Sequence, residues 1–122
     1  MEEINKIILT YFQKKIKKID LLNMFYDIGE IIEKNKIDLK ELELFLKNEY
    51  GISIVFTKRN FKNMIKLYNK YQKEELIDIQ QYVWYDVIQI LNNKKINNYE
   101  IDYCLIELNE LKKIGGKIWH HI

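Results

Sequence analysis

Apolar residues recur at helical spacing almost from the start of the chain. Ile4, Ile7, Ile8, Tyr11, Phe12 and Ile16 mark one face, which predicts a first helix over about residues 3–18. Its end carries Lys14, Lys15, Lys17 and Lys18, and cations suit the negative pole of a helix. Asp20 is placed to cap a second helix, unless the first simply continues, with Leu21, Leu22, Phe25, Ile28, Ile31 and Ile32 as its apolar positions up to about Asn35. Asp38, with Glu41 three residues on, opens a third helix through Leu39, Leu42, Phe45, Leu46 and Tyr50. Gly51 can close it by adopting positive φ.

The next stretch, Ile52-Ser53-Ile54-Val55-Phe56, is β-branched and short. It has no obvious second strand to pair with, so it reads as a buried connector. Thr57 then caps a fourth helix to about Gln72. Phe61, Met64, Ile65, Tyr68 and Tyr71 lie on one side of it, and Lys58, Lys62, Lys66 and Lys70 recur every four residues on the other. A fifth helix is expected from Asp78 through Val83, Trp84, Val87 and Leu91, followed by a loop at Asn92-Asn93-Lys94-Lys95. A sixth runs from about Asn98 through Ile101, Leu105, Leu108 and Leu111 until Gly115-Gly116 ends it. The sum is an all-α fold, a single compact domain of about five or six helices over residues 1–114, with a short tail over 115–122. Ile28, Leu42, Leu46, Phe61, Tyr68, Val83 and Leu91 are expected in its core. Phe25, Tyr71 and Trp84 join them, and Gly29 inside a helical pattern signals close helix packing rather than a ligand site.

Composition narrows the class. At 122 residues with 48% hydrophobic and 13% aromatic residues, the chain suits one folded domain and not a disordered segment. Cys104 is its only cysteine, which excludes an intrachain disulfide and points to a reducing cytoplasm. A buried, inert thiol is expected there. The opening residues lack the basic and apolar regions of a secretory signal, and nowhere do about 18 apolar residues run together, so no membrane span is expected.

The net charge of +2 conceals a segmental alternation. Residues 51–73 hold six cations and no acid. Like charges at four-residue spacing repel one another, so such a stripe implies a nearby anion, which could be phosphate or the acidic helices of this same protein. Residues 38–72 also follow the order helix, glycine-marked turn, basic second helix. This is the broad layout of a helix-turn-helix reader.

Three blocks carry a family resemblance. Phe25-Tyr26-Asp27-Ile28-Gly29-Glu30-Ile31-Ile32, the block from Phe56-Thr57-Lys58-Arg59-Asn60-Phe61 to Met64 and Tyr68, and Tyr82-Val83-Trp84-Tyr85-Asp86-Val87-Ile88 occur in this order. Together they resemble the N-terminal helical domain of the YhcG-type bacterial proteins, which precedes a PD-(D/E)XK nuclease domain. The middle block is the most specific. Asp86 and Val87 stand where the family has His-Tyr, and the metal-binding carboxylates of the nuclease domain have no counterpart here. The resemblance therefore implies a DNA-associated helper domain without cleavage activity.

The candidate nucleic-acid-binding residues are Lys58, Arg59, Asn60, Lys62, Lys66 and Lys70. Arg59, the only arginine in the chain, has a planar fork suited to guanine or phosphate, and its alternative is an ion pair with a carboxylate of the third helix. Asn60 suits adenine or, at a helix start, a turn backbone. His120 and His121 cannot by themselves complete a metal sphere, and Glu74-Glu75 lack an apolar pocket that would make them an acid/base pair. The expected function is therefore a non-catalytic nucleic-acid-binding module, without metal or cofactor, that contacts DNA or RNA. The alternative is a small interaction or inhibitor protein of phage or mobile-element type that binds a host or defence nuclease complex. The acidic segments would mimic nucleic acid in that case. A second copy of the chain, as a homodimer, is the remaining candidate partner.

Overall fold

Local side-chain caps start the two helices that frame the basic segment. The computed structural model describes the backbone of residues 1–120 and the side chains of residues 1–113. Six α-helices occur in it: α1 (Glu2–Tyr11), α2 (Lys18–Asn35), α3 (Leu39–Tyr50), α4 (Lys58–Lys70), α5 (Trp84–Leu91) and α6 (Tyr103–His120). A 3₁₀ helix spans Lys73–Ile79, and there is no strand among the described residues. Asp38 accepts hydrogen bonds from the Lys40 and Glu41 amides, and Thr57 from the Asn60 amide, as N-caps do. Gly51 follows α3 at φ +83°, a conformation that a residue with a Cβ adopts at a cost.

Helix α2 is the centre of the molecule. It packs on α1, α4 and the 3₁₀ helix, and buries Leu21, Leu22, Met24, Phe25, Ile28 and Ile32. The Phe25 ring meets Trp84 of α5 edge to face, with centroids 4.7 Å apart, an arrangement that aromatic quadrupoles favour. At Gly29 the α4 backbone comes so close that a Cβ would lie 2.3 Å from the Met64 carbonyl oxygen. Gly29 is thus a packing glycine, as its place in the pattern implied. The expected core residues Ile28, Leu42, Leu46, Phe61, Val83 and Leu91 are buried with Phe25 and Trp84. Tyr68 and Tyr71 are only partly buried against that core.

Several boundaries differ from the sequence expectation, each for a tertiary reason. The first helix stops at Tyr11 rather than near residue 18. Thr10 and Gln13 turn their side chains onto the Lys6 and Leu9 carbonyls, and Ile16 is buried in the non-helical segment that follows, its amide and carbonyl both bonded by the Asn109 side chain of α6. The second helix starts two residues before Asp20, whose carboxylate accepts from the Lys17 amide. The expected fifth helix is divided. Residues from Lys73 form the 3₁₀ turn, and α5 begins only at Trp84, whose amide is capped by Asp102. The same carboxylate caps the start of α6 through the Leu105 amide, so α6 begins at Tyr103 and not near Asn98. Helix α6 then runs through Gly115 and Gly116 to His120, past the glycine pair expected to end it. The side chains of the last residues, including the His120-His121 pair, lie outside the described residues. Within the connector, Val55 and Phe56 are buried, but Ile52 and Ile54 face solvent. Among the described residues no helix is long and apolar enough to cross a membrane.

Candidate nucleic-acid interface

Burying Phe61, Met64 and Leu67 against α2 turns the opposite face of α4 outward. Lys58, Arg59, Lys62, Lys66 and Lys70 are all exposed on it. At a helical rise of about 1.5 Å per residue, the row from Lys58 to Lys70 is about 18 Å long. Among the described residues none of these five side chains forms an ion pair; the ion pairs are Lys14–Asp20, Lys34–Glu30, Lys73–Asp27 and Lys113–Glu110. The sixth cation of the run, Lys73, is therefore neutralised by Asp27 at 2.7 Å, while the row on α4 is not. Arg59 in particular has no carboxylate partner on α3.

The contacts that the row does make are with neutral groups. Lys66 Nζ donates to Asn92 Oδ1 at 2.6 Å, and Lys70 Nζ to the Ile90 carbonyl at 3.1 Å. Both reach the C-terminal end of α5, so the cationic row continues onto the following loop, where Lys94 and Lys95 are exposed. Sequence reasoning took this loop as a mere connector, because nothing local shows that α4 lies beside it. One acid does approach α4. A Glu43 carboxylate oxygen of α3 accepts from the Lys58 amide at 2.9 Å, occupying an orphan donor at the positive end of the helix.

Asn60 does not belong to the surface. It is 6% exposed; its Nδ2 donates to the Val55 carbonyl at 2.8 Å, and its Oδ1 accepts from Trp84 Nε1 at 2.7 Å. With its amide spent on both sides, Asn60 is a structural residue, and the expectation that it contacts a base is corrected. The α3–α4 pair likewise departs from the helix-turn-helix layout. Seven residues, Gly51–Thr57, join the helices where such readers use a turn of about three or four. With Asn60 inside and Glu43 at the first turn, the free cations of α4 lie along its flank. Its N-terminus is not equipped to read base edges.

Among the described residues no three His, Cys, Asp or Glu side chains are grouped to hold a metal ion. The Cys104 thiol is buried, and desolvation, followed by the nearby Asp102 and Glu107 charges, raises its pKa well above the usual thiol value. No protein-family model, curated protein or solved structure matches the chain.

Proposed function

We propose that this chain is a non-catalytic nucleic-acid-binding module whose contact surface is the flank of α4 and the loop after α5. The observation that carries this reading is the absence of an internal carboxylate partner for Lys58, Arg59, Lys62, Lys66 and Lys70 among the described residues. Like charges held at helical spacing repel, and this cost is offset when a polyanion is bound and its counterions are released. Lys94 and Lys95 widen the same surface. The resemblance of three sequence blocks to a nuclease-associated helical domain supports the same class. The lone buried Cys104 suits a protein that works in a reducing cytoplasm.

Binding of this kind follows the phosphate backbone, so it tolerates many sequences. A salt titration tests it. Fluorescence anisotropy of labelled oligonucleotides is expected to give log affinities that fall linearly with log salt, with a slope of about −0.9 for each phosphate contacted on duplex DNA. Salt-independent binding, or none at about 100 mM salt, where the screening length is about 10 Å, contradicts the proposal. A second reading, a protein that binds a nucleic-acid-handling complex, is favoured by one observation. Ile52 and Ile54 of the α3–α4 connector and Leu44 of α3 are exposed, with Ile52 84% exposed, and exposed apolar residues suit a protein partner. Retention of a nuclease complex together with no affinity for nucleic acid would favour it.

A further inference from the structure

On the far side of α5 from the core, Tyr85, Ile88, Gln89, Asn97, Tyr99 and Tyr103 line an open cleft of about 410 Å³. This lies within the range of about 300–1,000 Å³ that small-molecule sites occupy. Tyr85, Tyr99 and Tyr103 are 38%, 52% and 56% exposed, so three aromatic rings are held at the surface. The backbone that carries them is anchored from beneath. The buried Asp86 carboxylate accepts from the Asn97 and Tyr99 amides at 2.9 and 3.0 Å, fixing the loop between α5 and α6. Asp102 anchors the starts of both helices. A cleft set by buried carboxylates exists before any ligand arrives, which spares the ordering cost of binding.

The cleft and the cationic row adjoin the same end of α5. Tyr85, Ile88, Gln89 and Asn92 are spaced three and four residues apart and share one face of α5. Asn92 is the residue that Lys66 reaches at 2.6 Å, and the Lys94 amide donates to the Gln89 carbonyl at 2.8 Å. We infer that this cleft takes an unpaired base of a single-stranded nucleic acid whose phosphates follow Lys66, Lys70, Lys94 and Lys95, an inference that rests on the α4 reading above.

Aromatic faces beside a cationic track are what single-strand binding requires, because every base has a π-face and its backbone is a polyanion. The Gln89 and Asn97 side-chain amides make no hydrogen bond among the described residues, and each offers donors and an acceptor to a base edge. The carboxylates nearby are engaged. Asp86 and Asp102 are buried on backbone amides, and Glu107 accepts from Ser53 Oγ and the Ile54 amide. Glu100 is exposed and remains the one acid of the loop facing solvent. A duplex keeps its bases stacked on one another and cannot fill the cleft.

The test compares the full chain with a Tyr99→Ala, Tyr103→Ala variant on two labelled probes, oligothymidylate of about 12 nucleotides and a duplex of the same length. The wild-type protein is expected to prefer the single strand. The double variant is expected to lose about 5- to 100-fold in single-strand affinity while its duplex affinity and both salt slopes stay unchanged. Tyr99→Phe, Tyr103→Phe is expected to keep the wild-type affinity, since the rings remain. Should the double alanine variant lose its helical circular dichroism, Tyr99→Ala alone, in the exposed loop, carries the comparison. An alanine variant that binds both probes as the wild type does overturns the inference, and leaves the cleft to a protein ligand, while salt-dependent duplex binding would still support the α4 surface. The absence of salt-dependent binding to either probe is the different result that removes the α4 reading itself.

Discussion

One buried amide holds three parts of this molecule together. The Asn60 side chain ties the connector at Val55 to the indole of Trp84 on α5, and Trp84 in turn packs on Phe25 of α2. Truncating it leaves an indole N–H and a carbonyl without partners in the interior, and each such group costs about 1–3 kcal/mol. Asn60→Ala is therefore expected to destabilise the fold by about 2–4 kcal/mol in a urea titration; a loss below about 0.5 kcal/mol, the level of an ordinary surface change, would show that the amide is not a keystone. Buried acids set a second residue-scale property. Desolvation is the main cause that raises the pKa of the buried Cys104 thiol and of the buried Tyr26 hydroxyl. The unfolded chain releases these protons at lower pH than the folded one, so the stability they contribute is whole below the unfolded values of about 8.5 for thiol and about 10 for tyrosine, and declines as pH rises beyond them. The urea midpoint is expected to fall above about pH 9. A midpoint that rises between neutrality and that alkaline range would contradict this assignment. Asn60 also shows what single positions hide. Its type and its place in the first turn of a basic helix suit a base or a backbone equally, and only the approach of Trp84, 24 residues away in sequence, decides.

At the scale of elements, the contact between α2 and α4 depends on having no side chain at Gly29. A Cβ there would meet the Met64 carbonyl oxygen at 2.3 Å and its carbon at 2.7 Å, and backbone atoms cannot swing away as a flexible side chain can. Gly29→Ala is expected to cost about 3 kcal/mol, at the upper end of overpacking effects, despite the better helix propensity of alanine. Thermal or urea unfolding measures it, and a variant as stable as the wild type would mean that the two helices are not so closely apposed. Elements whose signals are local were legible in the sequence. Asp38, Gly51 and Thr57 act where their residue types put them, and the glycine inside an apolar pattern marked the close approach. Elements fixed by distant residues were not. The start of α5 is capped by Asp102, which lies 18 residues further on, and Ile16 keeps the helical phase of α1 but is claimed by Asn109 of α6 from 93 residues away.

At the scale of the whole molecule, the hydrophobic pattern was enough for the class, because every strong apolar periodicity was helical and the connector had no strand to pair with. The cationic row was legible for the same reason: four-residue spacing puts Lys58, Lys62, Lys66 and Lys70 on one face wherever the helix lies. Its lack of carboxylate partners among the described residues, the exposure of Lys94 and Lys95 on the loop after α5, and the tyrosine cleft depend on tertiary placement and could not be read from spacing. One cationic and one aromatic surface thus adjoin the C-terminal half of α5, on a frame set by buried amides and carboxylates. The central claim is that the α4 row contacts phosphate, and a Lys62→Glu, Lys66→Glu variant tests it most directly. Both side chains are exposed, so the fold should persist by circular dichroism. Anisotropy titrations on duplex DNA are expected to show weaker binding and a plot of log affinity against log salt shallower by roughly 1.8, two contacts at about 0.9 each. A folded double variant that keeps both the wild-type affinity and the wild-type salt slope would contradict the account.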